Sequence, residues 1–359
     1  MSHGLTDIDT MFSVRELPWH GLGTVLDAPP SIDEALRASG LAWSATMEPA
    51  FTAAPYDADP VIAALTAAGA DPDTVTRIVA MLPDFVPGEQ LETRVVRRSD
   101  HRTKIGEVGP GFRPLDNADA LGWFSPLIGE GLVTLETAGS LHGGSRVWVM
   151  ARLTGADPVE VTPGDEVAPF LLLAHGHDGK AAIRCGLTPV RVVCQNTLTA
   201  AVGRADLVVI RHTLRAADML ADARDAIRGE IDRFAKVAEG WRFLASRPAD
   251  DEDLARLVRG VFGSGLPSDD DSEDAEEIAE GGAGSRVLGK VRELWEAGRG
   301  ARPGTWWTAY NAVTEYLTHE RGRSAESRFA ALHFGEARKL GARALSLALH
   351  YADRGVSAP

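Results

Sequence analysis

The apolar pattern of the chain changes its period once, near residue 212, and this change restricts the folds that the chain can form. Up to that point, apolar runs of strand length lie in pairs on either side of polar turns, which is typical of β-hairpins. The turn of the last pair contains Asp178-Gly179, a strong hairpin signal. The pairs are Leu91–Arg98 with Thr103–Val108, Val133–Ala138 with Arg146–Leu153, and Val167–His175 with Ala181–Cys194.

Beyond residue 212 the apolar residues follow the period of an α-helix. Spacings of three and four indicate one apolar helix face between about Leu214 and Leu244. The sequence therefore predicts an α+β fold, in which an antiparallel sheet of hairpins is covered by a long helix and followed by a helical C-terminal part. The residues expected to face the sheet include Ile227, Ile231 and Phe234.

These patterns divide the chain into residues 1–212, mainly a β-hairpin α+β core, and residues 213–359, a helical part packed on the sheet. Within the core, residues 55–90 are rich in Ala, Asp and Pro and predict short helices in a variable segment. Ser31 and Glu34 predict a capping box at a helix start. The helical part contains an acidic loop, residues 268–285, that we expect to be mobile. Further helices are predicted over Asp251–Val261, Arg286–Ala297, Thr305–Glu320 and Gly335–Ala352.

Composition and cysteine usage indicate a cytoplasmic protein. The longest apolar runs, such as Pro169–Ala174, are far shorter than the roughly 20 residues that a membrane span requires. The N-terminus lacks the pattern of a signal peptide. The two cysteines, Cys185 and Cys194, are expected to be reduced and buried. We expect no membrane partner, no metal and no cofactor.

The formal net charge of −14 is unevenly distributed along the chain. Between Asp250 and Glu280 there are twelve acidic residues and two arginines, so the rest of the chain has a net charge of only −4. The stretch from Ala181 to Arg215 has five arginines and one acid, a local charge of +4. A basic sheet face of this kind suits the phosphate backbone of a nucleic acid.

Four stretches of the sequence resemble the phage/plasmid-like family that contains domain of unknown function 932. They are DTMFSVRELPWHGLGTVL at residues 9–26, ETAGSLHGGSRVWVMARL at 136–153, HDGKAAIRCGLTPVRVVCQNTL at 177–198 and GTWWTAYNAVTEYLTH at 304–319. The resemblance covers nearly the whole chain except residues 55–90. It implies a mobile genetic element, a bacterial host and a cytoplasmic setting, and it brings no established catalytic residues.

Two groups of residues are candidate contacts to nucleic acid. Trp19 and His20 lie in a glycine-rich stretch and could stack on a base, although a buried structural clasp is the alternative. The second group lies in the basic stretch and comprises Arg184, Arg191, Gln195, Asn196, Arg204 and Arg211. The alternative for this group is a buried network of arginines and carboxylates that joins the sheet to the helix, with Asn196 capping a helix.

Two further patterns have a functional and a structural interpretation. His175 and His177 share one face of a strand and have metal-ligand character, but the following Asp178-Gly179 favours a simple turn. Asn311, Glu315 and His319 share one helix face, where they could coordinate a metal, exchange protons or form a hydrogen-bonded row on the surface. Trp306, Tyr310, Val313 and Leu317 are expected in the core, while an exposed Trp307 could stack on a base.

The leading hypothesis is a non-enzymatic nucleic-acid-binding protein of phage or plasmid origin, acting in replication or recombination through single-strand binding or annealing. Single-stranded DNA is the favoured partner, and a homo-oligomer is left open. One alternative is an enzyme acting on nucleic acid or a nucleotide through His20, Arg184 or Glu315. Another is a host-takeover factor that binds proteins and whose acidic loop imitates the charge of DNA.

Overall fold

A computed structural model describes residues 10–14, 23–154, 157–191, 196–197, 208–227, 230–263, 283–299, 301–322, 331 and 336–354. The strands of the described residues are β1 Met11–Val14, β2 Thr24–Leu26, β3 Ala45–Pro55, β4 Phe85–Arg98, β5 Lys104–Val108, β6 Val133–Leu141, β7 Arg146–Leu153, β8 Val159–Thr162, β9 Asp165–Gly176, β10 Ile183–Arg191, β11 Asn196–Thr197 and β12 Val208–Ile210. The helices are α1 Ile32–Ala38, α2 Asp59–Ala67, α3 Pro72–Val79, α4 Asn117–Gly122, α5 Ser125–Gly129, α6 Ala216–Ile227, α7 Glu230–Ala245, α8 Asp251–Phe262, α9 Ala283–Ala297, α10 Trp306–Glu315 and α11 Glu336–Arg354. These elements confirm the predicted α+β class.

The strands form two sheets. The larger has the order β11-β10-β9-β7-β6-β1-β2, with β12 also on β10 and β8 also on β9, and the smaller has the order β3-β4-β5. All pairs are antiparallel except β1 with β2. The hairpin with the Ser99–Arg102 turn therefore lies in a different sheet from the Asp178-Gly179 hairpin, and the expectation of a single sheet is wrong. Between β5 and β6 the chain forms α4 and α5, so β6 does not follow β5 as a hairpin partner.

The predicted long helix corresponds to α6 and α7, which lie on either side of residues 228–229, outside the described part of the chain. Phe234 is buried in the core as predicted, whereas the side chains of Ile227 and Ile231 lie outside the description. The indole Nε1 of Trp123 donates to the Leu220 carbonyl at 2.8 Å and joins α6 to the sheet side of the core. One apolar core includes residues of the sheet and of α6 to α11, so the helical part is packed on the sheet.

The four C-terminal helices lie close to their predicted bounds. Trp306, Tyr310, Val313 and Leu317 are core residues as predicted. Trp307, however, is also fully buried and donates from Nε1 to Asp165 at 2.8 Å, so an exposed stacking role is wrong.

The row of Asn311, Glu315 and His319 is not a surface row. Asn311 and Glu315 are buried, and a Glu315 oxygen accepts the backbone N–H of Arg299 at 2.9 Å. α10 continues into the π-helical turn Tyr316–Glu320, which contains His319. Of the predicted acidic loop, residues 268–282 lie outside the described residues, and residues 283–285 belong to α9.

Near the N-terminus, the predicted capping box and the predicted short helices are confirmed. Ser31 and Glu34 form the predicted capping box of α1. Residues 55–90 contain the predicted short helices, α2 and α3, and β4 begins at Phe85, earlier than expected. We call residues 51–95 the arm, because they form the outer part of the β3–β4 hairpin together with α2 and α3.

The two sheets meet where β5 packs on the turn after β9. A Cβ atom added to Gly106 would lie 2.5 Å from the Asp178 Cα and 2.7 Å from the His177 carbonyl oxygen. The amide of Asn117 joins the same region, because Nδ2 donates to the carbonyls of Leu41 and Trp43 and Oδ1 faces His177 Nε2 at 3.2 Å. Since the Asn117 nitrogen donates to carbonyls, its oxygen accepts from His177, and the proton of that imidazole is on Nε2.

Gly106→Ala is expected to destabilise the fold by about 1–3 kcal/mol, because the added methyl group meets backbone atoms that cannot rotate away. Gly109→Ala is the matched control, since its added Cβ has no neighbour within 4 Å. Urea denaturation of both variants measures the difference. Equal midpoints for Gly106→Ala and Gly109→Ala would show that the sheets are not in close contact here.

Candidate nucleic-acid interface

One end of the large sheet brings together the starts and ends of four strands. Because β7 and β9 are antiparallel, with Arg146 opposite Gly176, the turn before β7 and the turn after β9 lie at the same end. β10 starts at this end, and β12 finishes there with Ile210 opposite Ile183. We call this region the basic sheet end, because its cationic residues are Arg146, Lys180, Arg184 and Arg211.

Arg146 and Arg184 lie close together on one face of the sheet. Arg184 is opposite Ala174 and Arg146 is opposite Gly176, so the side chains flank a part of β9 whose residues on this face are small. The Arg146 guanidinium lies over Gly176, since its Nη1 would be 2.9 Å from a Cβ atom added there. Burial lowers the pKa of the half-buried Arg184, and the positive charge of Arg146 lowers it further. The structure thus holds two guanidinium groups near each other.

The other charges at the basic sheet end leave it cationic. Arg146 forms an ion pair with Asp178. Lys180 and Arg211 are exposed, and Arg211 lies two residues beyond Val209, which is opposite Arg184. The described residues at this end of the sheet thus include four cationic side chains and the Asp178 carboxylate. Guanidinium groups bind phosphate oxygens through two parallel hydrogen bonds, so this arrangement has the chemistry of a phosphate site.

The face that bears Arg184 has its own apolar cluster. Ile183, Cys185 and Leu187 face the main core, whereas Arg184 and Thr188 alternate with them and share the opposite face, as the sequence predicts. The two arginines border the cluster on that face, which contains Met11, Leu141, Trp148, Met150, Leu172 and Ala174.

The structure places only part of the predicted contact set. Arg184 and Arg211 come together at the basic sheet end. Arg191 is opposite Val167 at the far end of β10, and Asn196 is opposite Arg191 in β11, so the register separates both positions from Arg184. Gln195, Arg204, Trp19 and His20 lie outside the described residues.

Sequence reasoning missed Arg146 and Lys180, which follow the two hairpin turns directly. The available signal was topological rather than compositional. Had β7 and β9 been taken as antiparallel neighbours, both turns would have been assigned to the end at which β10 starts.

On the other face of β9 three histidines form a buried cluster. The rings of His175 and His177 have centroids 4.8 Å apart, and those of His175 and His212 are 6.1 Å apart. All three side chains are buried, and neither ring nitrogen of His175 has a hydrogen-bond partner among the described residues. His212 Nδ1 lies 3.1 Å from the Arg113 carbonyl. The described residues contain no group of three His, Cys, Asp or Glu side chains that could hold a metal ion.

Burial keeps these imidazoles neutral. It lowers the pKa of His177 to about 3, with His212 contributing to the effect. It also lowers the pKa of His175 and His212. In the unfolded chain a histidine titrates near pH 6.5, so below that pH the unfolded state binds more protons than the folded state.

The stability of the protein is therefore expected to decrease as the pH falls below 6.5. Each of the three histidines contributes at most about 1.4 kcal/mol per pH unit, and the contribution is complete above pH 6.5. His175→Leu should lower the slope between pH 6.5 and 5 by about one proton. Urea denaturation across this pH range measures both slopes, and equal slopes for wild type and His175→Leu would contradict a neutral buried His175.

The cysteine of β10 is a core residue. Cys185 is a buried free thiol, and burial raises its pKa to about 12. A thiol of this kind is unreactive at neutral pH. The expected reduced and buried state is confirmed for Cys185, whereas Cys194 lies outside the described residues.

The fold and the basic sheet end together define an α+β protein with a cationic edge on a mixed sheet. The chain belongs to the family described as a domain of unknown function (DUF932), whose model matches residues 104–342. The matched range begins at β5, so the arm and the 9–26 stretch lie outside it. No curated protein and no solved structure matches this chain. In the part of the chain that the structure describes, no helix combines the length and apolar character needed to cross a bilayer.

Proposed function

We propose that this protein binds the phosphate backbone of nucleic acid at the basic sheet end and is not itself an enzyme. The observation that carries the proposal is that Arg146 and Arg184 lie on one face of the sheet on either side of β9, opposite Gly176 and Ala174. Burial lowers the pKa of Arg184, and the positive charge of Arg146 lowers it further. An anion placed between two guanidinium groups is attracted by both. A phosphate also accepts the paired hydrogen bonds that each group can donate.

Single-stranded DNA is the favoured ligand in this proposal. Val209, which is opposite Arg184 in the sheet, and its neighbour Val208 are both exposed. A single strand can turn its base faces toward such apolar side chains, whereas a duplex keeps them stacked. The phage or plasmid setting that the resemblance implies fits a role in replication or recombination, through single-strand binding or annealing.

Fluorescence anisotropy of a labelled single strand over a salt series tests the proposal. Affinity should fall as salt rises, because each neutralised phosphate releases counterions. Arg184→Ala should lower the slope of log K against log salt by about 0.7, the value for one contact with a single strand. Arg242→Ala is the matched control, because Arg242 is exposed on α7, away from the basic sheet end, and its loss should leave the slope unchanged.

Thermal melting of the same variants separates binding from scaffolding. In the proposed role Arg184→Ala changes the salt slope and leaves the melting temperature within a few degrees of wild type. If the wild type does not bind any single or double strand and Arg184→Ala melts much earlier, the arginines belong to a structural network and the proposal fails.

A second candidate, an enzyme acting on nucleic acid or a nucleotide, is favoured by the histidine cluster. Histidine is the commonest general acid–base group of enzymes, and this cluster lies behind the basic sheet end, with His175 on β9. The lowered pKa of the three rings makes them weak bases at pH 7. The burial of all three rings argues against direct contact with a substrate. Release of labelled fragments from an oligonucleotide, abolished by His177→Asn, would support this candidate over the first.

A further inference from the structure

The arm has no core of its own. None of its 45 residues is buried, although it contains α2, α3 and most of the β3–β4 hairpin. Only the base of this hairpin has a third strand, since β5 pairs with Arg94–Arg97 of β4. A two-stranded ribbon with few buried contacts is of marginal stability in water. The arm therefore has the structure of a projecting element rather than of a domain layer.

Exposed apolar side chains are concentrated in the arm. Met81 is 83% exposed and Phe85 is 62% exposed. Among the described residues, half of the large apolar side chains that are exposed belong to the arm. Besides Met81 and Phe85, the arm contributes Phe51, Ile62 and Leu91 to this half. Concentrated apolar exposure on a folded protein marks an interaction surface, whereas isolated exposed apolar residues are ordinary.

The charge of the arm restricts what can cover these side chains. Residues 51–95 contain seven acids and two arginines, Arg77 and Arg94, and therefore have a net charge of −5. Residues 96–249, which include the basic sheet end, have a net charge of +1. An acidic surface repels nucleic acid and anionic lipid. It also repels the same surface on a second copy, so self-association through the arms is disfavoured.

We propose that the arm binds a cationic amphipathic segment of a partner protein. The apolar side chains around Met81 and Phe85 would take up the apolar face of that segment, and the carboxylates of the arm would pair with its lysines and arginines. This inference is independent of the nucleic-acid proposal. The arm and the basic sheet end differ in charge and lie in different sheets, and the arm precedes the family range that begins at residue 104.

Binding of a fluorescein-labelled synthetic peptide of Leu and Lys, arranged as an amphipathic helix, tests the proposal on the full-length protein. Met81→Ser with Phe85→Ser should weaken binding on the order of tenfold. Leu214→Ser is the matched control, because Leu214 is 80% exposed and lies outside the arm. It should change binding by less than about twofold.

The charge requirement has its own pair of variants. Neutralising Asp84, Glu89 and Glu92 should weaken binding on the order of tenfold and reduce its salt dependence. Neutralising three exposed acids on α6 and α7, Asp218, Asp222 and Glu239, should have less than about a twofold effect. A peptide of the same composition with no apolar face should bind the wild type more weakly than the amphipathic one.

Three results would overturn the proposal. The first is failure of the wild type to bind the amphipathic peptide. The second is an equal loss in the arm variants and their controls, which would show attraction to the overall charge of −14 alone. The third is a wild-type dimer in analytical ultracentrifugation that Met81→Ser with Phe85→Ser converts to monomer, since a second copy would then cover the arm.

Discussion

The Asn117 amide holds the two sheets of this protein in one arrangement. Its nitrogen donates to the carbonyls of Leu41 and Trp43, which lead into β3, and its oxygen accepts a hydrogen bond from Nε2 of His177 at the end of β9. All of these atoms are buried or nearly so, and a buried polar group that loses its partner costs about 1–3 kcal/mol. Because one amide satisfies groups from both sheets, a shift of either sheet would leave several of them unpaired.

Further contacts depend on this fixed arrangement. Trp43 packs on His177 with a centroid distance of 5.3 Å, and the buried Arg98 lies 4.5 Å above the Trp43 ring while it pairs with Asp100. The same arrangement sets the turn after β9, and hence the positions of Asp178 and of its partner Arg146. The neutral histidines and the paired arginines thus lie on opposite faces of the same strand end. The arm belongs to the smaller sheet, so that an acidic element and a basic sheet edge lie in different sheets.

The sequence predicts the local elements well and their assembly only in part. The period of the apolar residues, the Asp-Gly turn and the capping residues act within a few positions of one another, and the hairpins and helices they indicate are present. The choice between one sheet and two depends on contacts across many residues, such as Gly106 on Asp178. No local pattern distinguishes a buried Trp307 from an exposed one, because its burial results from contacts with distant residues such as Trp241 and Asp165.

The candidate site shows the same division between local and distant information. His175 and His177 were visible as a pair on one strand face, but His212 joins them only because β12 returns to the end of β10. Arg184 was visible in the basic stretch, whereas its neighbour Arg146 lies 38 residues earlier and meets it through β9. The net charge of −14 concealed the basic edge, because most of the negative charge belongs to the acidic loop and the arm.

Photochemical cross-linking tests the central claim, that nucleic acid binds at the basic sheet end, most directly. A single strand containing 5-iodouracil is irradiated with the full-length protein, and the cross-linked peptides are identified by mass spectrometry. We predict cross-links in the peptides around β7, β10 and β12 that contain Arg146, Arg184 and Arg211. Cross-links confined to the arm or to the C-terminal helices, or none under conditions that saturate binding, would contradict the claim.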